Sequence, residues 1–396
     1  MRFYAVLNFS YGNGPYISAL KTALALNGEL EKRGIDRCGI IIPLVYGERQ
    51  IKICREEFGK EIEKNPDEFV FDEKLGALLK SCFYGEKTYI ESTAFLIENG
   101  RRLSEEINKY LSGEILGKTI KGEKINISGS NIVMEIARSP RLSFGINRAY
   151  STSFGHTSLI LKHALEEEVP GLDRKTLSSA IPYFESVEKN YRHFIGFPGT
   201  FSFQDYSKTH VKKHDKKYDK KYTKKYKREE ETPPHADAPP INTDTIEEGI
   251  YITVSGITGL KNRFKDLDKV FSKIYTNDTE ALGFGEKKLP EILSNKKIRF
   301  HFARSGWGSV WLSELAMKPF VTFPYESGDD PEIYFNNRTI EKLGIGFVYE
   351  GQTLEALNRY EKDFYLNVGV LNARIQQKYG TLDGFSYIAE KIAAEH

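Results

Sequence analysis

Cysteine is nearly absent from the chain. Cys38, Cys54 and Cys82 are three in 396 residues, with no Cys-x-x-Cys spacing. That excludes a disulfide framework and a thiolate metal centre, and reads as reduced intracellular thiols. Long hydrophobic runs are also missing: nothing approaches the ~18 consecutive apolar residues that span a bilayer. The opening MRFYAVLNF reads as a strand rather than a secretory leader. A cytoplasmic protein is expected, without a metal or a cofactor. Histidine is scarce, eight in all, and the first is His156.

What is present is a soluble globular composition, 40% apolar and 28% charged, in a chain long enough for two domains with separate cores. The net charge of +2 conceals an asymmetry. Residues 208–228 carry eleven Lys/Arg against two Asp, leaving 46 basic and 53 acidic residues elsewhere, a net of −7. Within this tract KKHD, KKYD, KKYT and KKYK repeat, so His214, Tyr218, Tyr222 and Tyr226 recur every fourth residue. Three readings stand side by side: a solvated interdomain insert, a surface anchor for anionic lipid, and a polyanion-binding arm, with nucleic acid the least favoured. The Pro-rich TPPHADAPP at 232–240 is a stiff linker and marks a domain boundary.

The chain is organised around residues 298–346. A short apolar strand, Ile298 to Ala303, turns through Arg304-Ser305-Gly306-Trp307-Gly308-Ser309 into an amphipathic helix, Val310 to Met317. Pro319 stops the helix, a strand follows from Phe320 to Phe323, and a loop rich in carboxylates and Asn comes next. A glycine turn at a helix start presents unpaired N–H groups at the positive end of the helix dipole, a seat for an anionic, diphosphate-like ligand. The glycines permit close backbone approach, and Ser305 and Ser309 add hydroxyl donors. A plain α/β turn is the competing reading.

Strand, glycine loop and helix also open the chain, at residues 2–9, 10–15 and Tyr16 to Arg33, and recur at 249–254, 255–259 and Asn262 to Tyr275. Between these openings 38–46 and 125–138 read as strands, 51–111 as helical, and 147–157 as a hydroxyl-rich loop before a helix from Ser158 to Glu168. Loops at the C-terminal edge of a parallel sheet are where such proteins bind ligands, so His156 is a candidate general base. A histidine that merely satisfies its loop is the alternative. His193, in NYRHFIGFPG, reads as structural.

The 298–346 pattern resembles the donor-binding half of GT-B glycosyltransferases. The plant and macrolide UDP-glycosyltransferases carry H-C-G-W-N-S where this chain has Arg304 to Ser309, and the bacterial UDP-GlcNAc transferases of peptidoglycan synthesis carry R-S-G-x-x-T. Both continue with Pro, a strand, Pro, an acidic loop and N-A, similar to Pro319, Pro324, Asp329, Glu332 and Asn336-Asn337. The resemblance implies an α/β protein of two Rossmann-like doubly wound domains facing a cleft, with the basic low-complexity tract between them. Its parts would be an acceptor domain at 1–206, an insert at 207–245, a donor domain at 246–372, and a tail at 373–396 returning to the first domain.

It further implies a metal-independent, inverting transfer from a nucleotide-diphosphate sugar, itself a substrate, to an acceptor hydroxyl. A lipid-linked acceptor and a peripheral membrane location through 208–228 stay open. Ser255, Gly256, Gly259, Arg304, Ser305, Gly306, Gly308 and Ser309 would hold the nucleotide diphosphate, and Asp329, Asp330 and Glu332 the sugar. Asn13 and Gly14 would lie in the acceptor-side loop. Pro15 stands roughly where these families place a catalytic His. Leu312 stands where they place the ribose-binding carboxylate, and Glu314, two residues on, is about 200° round the helix. The alternatives are a GT-B-fold UDP-sugar epimerase or hydrolase, and a binding protein with a degraded donor site.

Overall fold

The computed structural model describes residues 4–8, 13–81, 88–112, 115–119, 124–127, 131–136, 149–202, 229–254, 264 and 267–395. The first sheet contains β1 (Tyr4–Asn8), β2 (Gly39–Pro43), β3 (Phe69–Asp72), β4 (Ile115–Thr119), β5 (Lys124–Ile127), β6 (Asn131–Ile136), β7 (Ala149–Ser153), β8 (Arg192–Gly196) and β9 (Glu229–Thr232). Their spatial order is β5-β4-β3-β2-β1-β6-β7-β8-β9. Pairing is parallel except around β4, which runs antiparallel to β3 and β5. β1, β2 and β3 are short apolar runs buried along nearly their whole length, as strands covered by helices on both faces must be. The helices of this part are α1 (Asn13–Lys32), α2 (Glu48–Lys64), α3 (Glu73–Lys80), α4 (Tyr89–Ser112), α5 (Thr157–Glu166) and α6 (Arg174–Glu188).

The second sheet contains β10 (Gly249–Ile252), β11 (Ile274–Thr276), β12 (Glu286–Lys287), β13 (Ile298–Phe302), β14 (Phe320–Thr322) and β15 (Phe347–Val348). It is parallel throughout in the order β12-β11-β10-β13-β14-β15. Numbered by its own chain order this is 3-2-1-4-5-6, the doubly wound arrangement whose ligand crevice opens where the winding reverses. Here that point lies between β10 and β13. Its helices are α7 (Thr279–Leu282), α8 (Trp307–Leu315), α9 (Pro331–Leu343), α10 (Leu354–Tyr379) and α11 (Gly384–Ala393). Asp330 caps α9, Thr353 caps α10 and Asp383 caps α11, each accepting a first-turn amide.

The last helix leaves the second sheet. α11 packs on α1, and Ile388, Ala389, Ile392 and Ala393 join the first core. Among the described residues no helix is long and apolar enough to cross a membrane.

Several elements differ from the sequence reading. The stretch 51–111 contains β3 as well as helices, because Phe69-Val70-Phe71 is an apolar run too short for periodicity to separate strand from buried helix. The expected loop at 147–157 contains β7, whose Ser and Thr residues are buried and whose backbone pairs with β6 and β8. Residues 229–232, expected in the insert, form β9 on the edge of the first sheet, paired with β8 from His193 to Gly196. Of the helix expected from Asn262 to Tyr275, Phe264 is helical, Leu267–Lys269 is a short 3₁₀ turn and Ile274–Thr276 is β11, while 262, 263, 265 and 266 lie outside the described residues. The Lys/Tyr tract at 208–228 lies outside the described residues.

Candidate functional site

β13 delivers the chain to the switch point of the second sheet, and the glycine turn follows at once. Gly306 is the N-cap of α8, so the helix begins at Trp307, three residues before the expected Val310. The amides of Ser309 and Val310 reach back to the Gly306 carbonyl at 3.0 and 3.2 Å. Those of Trp307 and Gly308 precede any helical acceptor and stand at the positive end of the dipole. A Cβ added at Gly306 or Gly308 would meet nothing within 4 Å, so the turn borders open space. Gly308 is exposed and Ser309 partly so. Amides at a helix start beside open space form an arrangement that can hold an anion.

Arg304, Ser305 and the acidic residues expected around this turn are engaged with the protein itself. Arg304 forks onto Asp329, Nη2 to Oδ1 at 2.5 Å and Nε to Oδ2 at 3.2 Å, so a residue expected on phosphate grips one expected on sugar. Ser305 is buried and its hydroxyl donates to Asn337 Oδ1 at 2.5 Å. Asp330 Oδ1 accepts the Glu332 amide at 3.0 Å and serves α9 as its cap. Glu332 is buried and accepts from Asn336 Nδ2 at 2.6 Å. Asn13 and Gly14 open α1, with Gly14 exposed. Ser255, Gly256 and Gly259 lie outside the described residues, shortly after β10.

No protein-family model matches the sequence, and no curated protein matches it. Solved structures do match in shape. An Arabidopsis thaliana glycosyltransferase complexed with UDP-L-rhamnose aligns over 100% of this chain and 98% of its own, with a TM-score of 0.58 at 13% identity. A UDP-glucosyltransferase from Polygonum tinctorium gives 100% and 98%, TM-score 0.55, 12% identity. A Medicago truncatula glycosyltransferase complexed with UDP-glucose gives 100% and 98%, TM-score 0.52, 15% identity. The fold is GT-B.

In this GT-B chain α8 is also one of the points where the two halves are tied together. Both tryptophans of the sequence lie on it, one turn apart. Trp307 Nε1 is shared between Asn336 Oδ1 at 2.9 Å and Thr200 Oγ1 at 3.2 Å, and Trp311 Nε1 donates to the Pro198 carbonyl at 2.8 Å. Residues 198–200 follow β8, so α8 is bonded directly to the segment that leaves the end of β8 in the first sheet. Gly196 is required there: a Cβ would come within 2.6 Å of the Trp311 ring. Sequence reading found the glycine turn but not this attachment, because Thr200 and Trp307 are 107 residues apart.

His156 is almost fully buried at the start of α5, with Nε2 2.8 Å from Glu229 Oε2 and its ring edge-on to His193 at 4.6 Å. Glu188, buried beside it, accepts the Ser158 hydroxyl at 2.5 Å. This is a histidine held between its own helix and the β9 edge. His193 lies within hydrogen-bond distance of the Glu188 carbonyl, 2.6 Å. On the second domain His301 is enclosed between Thr253 and Ser313, and burial pushes it down to about 3, so it stays neutral.

Leu312 packs beside Tyr251, Tyr275, Ile292 and Ile298. Glu314 lies on the buried side of α8, near the helical azimuth of Trp307 and Trp311, where burial raises its carboxyl well above the ordinary range. Among the described residues neither carboxyl oxygen has a hydrogen-bond partner. Glu314 therefore does not replace the missing carboxylate at 312.

Proposed function

We propose that this chain is a glycosyltransferase that moves a sugar from a nucleotide-diphosphate sugar, a UDP-sugar in the first instance, to an acceptor hydroxyl. The observation that carries the reading is the amide pair of Trp307 and Gly308 at the start of α8, open on one side and set at the switch point of a GT-B second domain. The solved structures of the same fold include proteins complexed with UDP-glucose and with UDP-L-rhamnose, which supports a uridine nucleotide as the first ligand to test.

In this reading the acceptor oxygen attacks the anomeric carbon, its proton leaves to a base, and the bond to the diphosphate breaks. The charge that grows on the leaving diphosphate is met by the fixed N–H groups and the dipole of α8, with the Ser309 hydroxyl beside them. Arg304 acts through Asp329, holding the acidic loop against the turn. Metal independence and inversion belong to the proposal. His156 is almost fully buried against the β9 edge, so we do not route the acceptor proton through it.

A binding protein with a degraded donor site is the second reading. It is favoured by Leu312 in an apolar cluster and by the engagement of Asp329, Asp330 and Glu332 within the protein. A thermal-shift panel of UDP, GDP, dTDP, ADP and CMP separates the two. A ligand that binds only the folded chain stabilises it by about 2.7 kcal/mol at a hundred times its Kd. A shift with one nucleotide supports the transferase and names its base, and no shift with any supports the second reading. Proton NMR with UDP-GlcNAc alone then tests for a hydrolase or epimerase, since either turns over without an acceptor.

A further inference from the structure

The turn that forms the seat has little stiffness of its own. Trp307 sits between Gly306 and Gly308, and neither glycine has a neighbour that a Cβ would touch. Glycine on both sides of Trp307 leaves the backbone there a wider range of conformations than other residues would allow. Anion binding by amides requires those amides to point one way before the ligand arrives. The constraint has to come from side chains that grip the turn from outside.

Three side chains supply it. Asn336 donates both amide hydrogens, to the Ser305 carbonyl at 2.7 Å and to Glu332 Oε1 at 2.6 Å, and accepts Trp307 Nε1 on its oxygen at 2.9 Å. Reversing that amide would set oxygen against a carbonyl and a carboxylate, so its orientation is fixed. Asn337 accepts the Ser305 hydroxyl and donates to the Phe323 carbonyl at 2.8 Å, tying the turn to the end of β14. Thr200 completes the grip from the other domain. Its hydroxyl accepts the second share of Trp307 Nε1 at 3.2 Å, its amide donates to the Phe154 carbonyl at 3.0 Å, and its carbonyl accepts from Thr339. All four of Thr200, Trp307, Asn336 and Asn337 are buried.

We propose that Trp307 is the joint through which the first domain fixes the phosphate seat, with Thr200, Asn336 and Asn337 as positioning residues. The proposal rests on the donor-binding reading above. None of these side chains needs to touch the nucleotide. Thr200 belongs to the crossover after β8, so the position of the first domain sets the aim of the Trp307 and Gly308 amides. Glu332 acquires a role different from the one expected of it: it orients Asn336.

The test uses the full chain and two readouts, UDP titration calorimetry and hydrogen exchange of the segment 304–312 without ligand. Thr200→Val removes the hydroxyl that Trp307 shares and keeps the shape of the side chain. Thr200→Ser keeps the hydroxyl, and Trp307→Phe removes the indole N–H. The expected result is a UDP affinity about three- to tenfold weaker for T200V and W307F, the range of one buried neutral hydrogen bond. Exchange across 304–312 is faster in both, and T200S stays close to wild type in both readouts. Wild-type exchange in T200V and W307F overturns the proposal, and so does a loss of affinity without faster exchange. If the wild-type chain binds no UDP, the donor-binding reading fails, and the exchange measurement alone decides whether Thr200 holds the turn.

Discussion

Glu314→Leu is the substitution whose outcome the structure specifies most fully. Glu314 is buried on α8, both carboxyl oxygens lack partners among the described residues, and its pKa is raised well above 4.5 with burial as the cause. The native state therefore keeps a proton that the unfolded chain loses above pH 4.5, so the native state binds more protons and its stability falls as pH rises. The penalty is absent below the unfolded value and accumulates at about 1.4 kcal/mol per pH unit until the folded pKa is reached. Leucine has no such penalty, is of similar size, and suits a helix.

Removing an unpaired buried carboxyl adds about 1–3 kcal/mol that does not depend on pH. The expected outcome is a variant more stable than wild type at pH 7, whose advantage shrinks as pH falls toward 4.5. Urea unfolding at pH 5, 6 and 7 measures it. UDP affinity should not change, because the carboxyl lies on the face of α8 that carries the tryptophans. An E314L chain that is less stable than wild type, or equally pH-sensitive, would refute the reasoning. A loss of UDP binding would show instead that Glu314 reaches the ribose.

Gly196→Ala should destabilise by about 1–3 kcal/mol, since the new Cβ meets the Trp311 ring at 2.6 Å and overpacking is relieved only by moving that ring; thermal unfolding measures it. Arg304→Ala and Asp329→Ala should each weaken UDP binding about tenfold or more, and the double variant should be little worse than either, because one bidentate pair is lost in all three. Additive losses in that cycle would show that the two residues act separately. Arg304→Lys should not restore binding, since an ammonium cannot reproduce the fork. Deleting 208–228 should abolish co-sedimentation with vesicles containing phosphatidylserine and leave UDP affinity unchanged. Retained sedimentation would place the membrane contact, if there is one, elsewhere on the chain.

The GT-B architecture was legible because its carriers are local. Glycine turns after apolar strands need only a few adjacent residues, and Arg304 to Ser309 with Pro319 and Pro324 repeat a spacing. β3, β7 and β9 were not legible for different reasons. Phe69-Val70-Phe71 is too short for periodicity, Ala149 to Ser153 is too polar to look like a buried strand, and Glu229-Glu230-Glu231 looks like solvated surface. Each is a strand because a neighbour supplies its hydrogen bonds, which is information from elsewhere in the chain. The acidic loop shows the same limit within the site. Residue type marks Asp329, Asp330 and Glu332 as groups that can hold hydroxyls, whereas their partners Arg304, the α9 amide and Asn336 emerge only in three dimensions.

The helix α11 belongs to the second half of the sequence and to the first core of the fold. The second half of this chain is therefore not interchangeable with that of another GT-B protein as a contiguous cassette. A chimera that replaced everything after β9 would bring a foreign helix onto α1, and a truncation there would bare the groove that Ile388 and Ile392 fill. An exchange intended to alter donor choice should stop before Gly384 and return the native last helix to its seat.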